Sequence, residues 1–153
     1  MNQKGQSLVE ALVALGAAAI IVSAVAIAVV TAQNNADFSK NQNLATHYAQ
    51  QGMETLRKFS ESAWGIFSTY QGTYCLSGGS STLSPSFGTC PVNISNFFVR
   101  TITITQNNSG CSGGAKVTST VAWADGKCNA TNYYCHNVTL DSCLTNINNV
   151  LTP

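Results

Sequence analysis

Apolar residues run almost unbroken from Leu8 to Ala32, then thin into a recurrence at every third, fourth or seventh position. The first pattern predicts a helix of about 25 residues, enough to cross the roughly 30 Å hydrocarbon core of a bilayer. Its one charge is Glu10, just inside the start of the run. Ionisable groups at that depth are costly and rare. In the second pattern Phe38, Ala45, Tyr48, Ala49, Met53, Leu56, Phe59 and Ala63 form a stripe along one helix face, which requires a partner surface. Asp37, Lys40, Gln50, Glu54 and Lys58 fall off the stripe, and Glu54 and Lys58 are spaced as an i,i+4 ion pair. No proline occurs between Gln6 and Ser62, and the only glycines there are Gly16 and Gly52. Both patterns therefore read as one helix, about 85 Å long if continuous.

Past Ala63 the residue types change. Phe97 to Ile104 and Lys116 to Trp123 are rich in β-branched and aromatic residues, and His136 to Leu140 alternates polar with apolar. These three runs predict strands. The turn-rich stretch Asn107 to Gly114 joins the first two as a hairpin. Val117, Ser119, Val121 and Trp123 share a phase, and that face is expected to cover the helix stripe. Ser68 to Ile94, rich in Gly, Ser and Thr, gives no clear regular structure. The expected fold is α+β, a long N-terminal helix packed on a small antiparallel sheet. Residues 1–5 form a polar leader, 6–62 the helix with about 8–32 in the membrane, and 63–153 the head.

Composition narrows the function. Charged residues make up 8% of the chain, against about a quarter in an average globular protein. Net charge is +1, so there is no basic field to make nucleic acid a main partner. The six cysteines all lie in the head, from Cys75 onward, and read as a disulfide framework formed outside the cytoplasm. An antiparallel meander would bring Trp123 near His136 and Lys116 near Cys143. That order suggests Cys111 with Cys143, Cys128 with Cys135, and Cys75 with Cys90 across the earlier irregular stretch. There is no Cys-x-x-Cys pair, and His47 and His136 are the only histidines, so no metal or other cofactor is expected. The head has no nucleophile elbow, phosphate loop or paired carboxylates, and an enzyme is not expected. His136, with Asp141 nearby in sequence, reads as a surface strand residue. Tyr133-Tyr134 reads as a packed turn in preference to an exposed patch. Asn93, Asn107, Asn129 and Asn137 each begin an Asn-x-Ser/Thr triplet, a weak signal in so Asn- and Thr-rich a chain.

Lys4-Gly5-Gln6-Ser7-Leu8-Val9-Glu10, followed at once by an apolar helix, resembles the prepilin signal of type IV pilins and type II secretion pseudopilins. The stretch Leu44 to Arg57 is similar to that of minor-pilin-type members. The resemblance implies a pilin-like architecture and a leader peptidase that cuts between Gly5 and Gln6 and N-methylates Gln6. Implied partners are the same or homologous pilin subunits, the prepilin peptidase, the inner-membrane assembly machinery and, before assembly, membrane lipid. The implied location is a single-pass cytoplasmic membrane protein with its head outside, then an extracellular pilus or pseudopilus.

Elementary electrostatics gives Glu10 a part in assembly. Cleavage after Gly5 would expose an α-ammonium at Gln6, and Glu10 lies about 6 Å further along the helix axis. Helices bundled with a stagger of that order would let the carboxylate of one meet the amine of the next. Ala14, Gly16, Ala17, Ala18, Ala24 and Ala28 would permit close approach. The alternatives are a secreted or membrane-anchored disulfide-bonded surface domain that does not assemble. One version is an ordinary signal anchor. The other is a secretory signal ending at Val30-Thr31-Ala32, with a mature chain starting at Gln33.

Overall fold

The computed structural model describes residues 3–86 and 88–146, with side chains from Leu8 onward. For Gly5 and Gln6, the expected processing pair, only the helical backbone is described. Helix α1 runs Gln3–Ser62 and a single turn, α2, covers Trp64–Phe67. The chain divides into two compact units, residues 1–40 and 41–153. The first is helix alone, and all its side chains from Leu8 to Lys40 are exposed.

The second unit holds the rest of α1, α2 and five antiparallel strands in the order β2-β1-β3-β4-β5. These are β1 (Gly72–Cys75), β2 (Ser84–Pro85), β3 (Val99–Gln106), β4 (Gly114–Trp123) and β5 (His136–Thr145). The architecture is the expected α+β, pilin-like layout. Two strands appear where the residue pattern offered none. β1 is four residues long, too short to show a period, and it forms because β3 presents Thr101 to Ile104 as pairing partners. β3 starts at Val99 instead of Phe97 because Ser95 and Asn96, at φ 51° and 53°, turn the chain sharply beforehand. Ile94 then bridges Phe98 across that turn. β5 pairs with β4 over its whole length and includes Trp123 opposite His136 and Lys116 opposite Cys143.

Alternation on β4 buries Ala115, Val117, Ser119, Val121 and Trp123. The α1 stripe meets them through Ala45, Ala49, Met53 and Leu56. One core cluster gathers Met53, Leu56, Phe67, Ile102, Ile104 and Val117. A second gathers Ala45, Ala49, Ile94, Phe98, Val121 and Trp123. Fully burying one such large side chain contributes about 1.5–3 kcal/mol. Phe38 does not belong to this stripe, being exposed and in the first unit. Glu54 pairs with Arg57 at 3.9 Å instead of with Lys58. On a helix the i+3 neighbour is as near as i+4, and at this exposure the pair adds little.

Gly52 sits where α1 comes closest to the sheet. A Cβ there would lie 2.9 Å from Ser119 Oγ and 3.0 Å from Arg100 Cδ. Alanine would gain up to about 1 kcal/mol of helix propensity, yet overpacking at a rigid contact costs about 1–3 kcal/mol. Gly52→Ala is expected to destabilise the head in urea unfolding followed by tryptophan fluorescence. Adding Ser119→Ala should restore part of the loss, and an unchanged midpoint for Gly52→Ala would contradict the contact.

Disulfides join Cys75 to Cys90, Cys111 to Cys143 and Cys128 to Cys135. Each closure contributes about 2–4 kcal/mol by restricting the unfolded chain, which matters for a head with so modest a core. The sheet face away from α1 is polar. Thr73 meets Thr103, Thr120 meets Thr139, and Thr118 bonds Asp141, which also pairs with Lys116.

Candidate functional site

From Leu8 to Val30 the large side chains of α1 stand open on every side, with Leu8 63% and Ile20 72% exposed. This is the one helix among the described residues long and apolar enough to cross a membrane. A bare apolar surface of this extent requires a cover of lipid or other helices. Even its hydroxyls are withdrawn: Ser23 Oγ donates to Ala19 O at 2.8 Å and Thr31 Oγ1 to Ile27 O at 2.9 Å. Side-chain groups bonded back to their own helix need no water. Glu10 has no such bond among the described residues, and it is the sole charged residue between Leu8 and Ala36. Gly16 offers open space around its missing Cβ, as a close helix neighbour requires.

Arg100, which the residue pattern did not single out, is the organising polar group of the head. It is 1% exposed. Its Nε donates to Leu76 O at 3.0 Å and its Nη2 to Ser77 O at 2.9 Å. Nη1 donates to Tyr48 O on α1 at 2.9 Å and to Gln51 Oε1 at 3.2 Å. The Arg100 backbone is held as well, through paired bonds with the Asn93 side chain at 2.8 and 2.9 Å. One side chain thus fastens helix, sheet and the segment after β1 together. Burial pushes the guanidinium down to about 10, which leaves it charged at neutral pH. The available signal was phase: Phe98, Arg100, Ile102 and Ile104 alternate together, and only one of the four is charged. Beside it, Gln51, Glu54, Lys58 and Ser80 line an open groove of about 1070 Å³.

At the end of β4 a loop of residues 124–135 returns the chain to β5 and carries most of the head's remaining chemistry. Asp125 Oδ2 lies 2.9 Å from His136 Nε2, and Asp125 Oδ1 accepts the Lys127 N–H at 2.8 Å. The Lys127 N–H, followed by the bond and charge of His136, holds the Asp125 carboxyl below its usual range. His136 also stacks on Trp123, with ring centres 5.4 Å apart. The acid that meets His136 is therefore Asp125 and not its sequence neighbour Asp141. Pairing of β4 with β5 brings Asp125 across, whereas Asp141 turns to the outer face. Asp125, Cys128, Cys135 and His136 place ligand-type atoms within 4.8 Å of one another. The two sulfurs are bonded to each other, so neither offers the thiolate that a metal would take. Tyr133 is 65% exposed, which corrects the packed-turn reading of Tyr133-Tyr134.

Comparisons with protein-family models, curated proteins and solved structures give no match. The functional reading therefore rests on these residues and their geometry.

Proposed function

We propose that the chain is a structural subunit of a type IV pilus or related pseudopilus. On this reading it enters the cytoplasmic membrane with Lys4 on the inside and is cut between Gly5 and Gln6. It then joins a helical filament through the first half of α1, with the disulfide-stapled head on the outer wall. The observation that carries the proposal is the first unit itself. Its stretch from Leu8 to Ala32 is apolar on every side, its Ser23 and Thr31 hydroxyls are bonded back to the helix, and its one carboxylate is Glu10. Lipid can cover such a surface, and an opposite charge from another molecule would let Glu10 stay ionised within it. The nearest source is the amine that cleavage would create on a sister subunit. On this reading the head needs only to fold and to form the outer wall.

The test is the mature N-terminus. Mass spectrometry and N-terminal sequencing should return a chain beginning at Gln6, with one methyl group where methylation is complete. Gly5→Val should retain the leader. A start at Gln33 would favour the secreted-domain alternative, and a chain that keeps Met1 inside working filaments would overturn the proposal.

A further inference from the structure

Four large apolar side chains stand exposed among the described head residues: Ile66, Val92, Phe97 and Tyr133. Three of them, Val92, Phe97 and Tyr133, line one depression of about 250 Å³ together with Asn96, Asp125 and Tyr134. Clustered exposed apolar side chains mark interaction sites, and these are mixed with an amide and a carboxylate. The walls are fixed in advance. Cys128–Cys135 closes the loop that bears both tyrosines, whose rings meet edge to face at 5.0 Å. Phe97 packs edge to face on Phe98 at 4.9 Å. Asn96 is held in a tight left-handed turn, and Asp125 is tied by His136 and Lys127. A site ordered before its ligand arrives loses less entropy on binding.

We propose that this depression is a binding subsite for one neutral pyranose ring of an oligosaccharide or polysaccharide. Aromatic faces accept the C–H face of a sugar ring, while the Asn96 amide and Asp125 carboxylate can bond its hydroxyls. The Asp125 charge disfavours an anionic ligand. Its oxygens already face His136 and the Lys127 N–H, which leaves little uncompensated charge to select a cation. The inference goes beyond filament assembly and does not depend on it.

The test uses the full chain in nanodiscs of phosphatidylethanolamine and phosphatidylglycerol, which carry no sugar. Saturation-transfer NMR is recorded with chitotetraose, cellotetraose and mannotetraose as probes. At least one is expected to receive saturation at its ring protons, with a Kd of about 1 mM. Tyr133→Ala and Phe97→Ala should each weaken that binding about fivefold or more. Ile66→Ala, an exposed apolar residue elsewhere, should leave it unchanged. No transfer to any probe, or binding indifferent to both aromatic substitutions, would overturn the proposal. So would self-association that Tyr133→Ala abolishes in the absence of sugar binding, since the patch would then be a protein contact.

Discussion

Glu10→Ala is expected to reduce filament yield by about two orders of magnitude while the head folds and oxidises normally. Removing one partner of a buried ion pair leaves the other charge unpaired, at a cost of about 3–5 kcal/mol. Each 1.4 kcal/mol is tenfold in an equilibrium, and the loss would recur at every subunit added. Glu10→Asp should retain part of the yield, because the charge stays while its reach shortens by one methylene. Sheared filaments counted by electron microscopy give the yield, and non-reducing mass analysis checks the three disulfides. Wild-type yield from Glu10→Ala would remove the carboxylate from the assembly mechanism.

Arg100→Met should be the most damaging single change in the head, costing about 3–5 kcal/mol in urea unfolding under oxidising conditions. Methionine fills much of the same volume but donates nothing. The carbonyls of Leu76 and Ser77 lose their bonds from the guanidinium, each worth about 1–3 kcal/mol when left unsatisfied. Tyr48 O and Gln51 Oε1 lose theirs as well. Arg100→Lys should recover only a fraction, since a compact ammonium cannot span the fork that these oxygens define. A loss below about 1 kcal/mol for Arg100→Met would show that hydrophobic packing, and not this pin, joins helix to sheet.

Legibility followed the strength of each local signal. Helix α1 was plain because periodicity and the absence of proline agree across its length. β4 was plain because alternation runs almost its whole length, whereas β5 was read only from His136 to Leu140 and extends to Thr145, since Ser142 breaks the apolar phase. β1 and β2 were not plain, because four and two residues carry no period and owe their form to a neighbour already in place. Arg100 was hidden for a different reason. Three of its four partners are main-chain carbonyls, which any sequence supplies, so little elsewhere in the chain announces them. The pairing of His136 with Asp125 depends on strand register, and sequence distance alone pointed to Asp141. Tyr133 shows the same limit, for whether a loop ring packs or protrudes is decided by a few ångströms of backbone path.

All six cysteines lie after Ser62, so no disulfide reaches α1: two tie a strand to a loop and the third closes the 124–135 loop on itself. Tension drawn through the stalk would therefore pass into the head across packed side chains, the Arg100 hydrogen bonds, the Tyr48–Ser95 hydroxyl pair and the main chain between Ser62 and β1, with no disulfide in its path. Under a rising pull the stalk should shear away from the sheet first, leaving the oxidised strands knotted together behind it. The weakest mechanical joint is thus the seam between the two layers, and no reductant would be needed to part it.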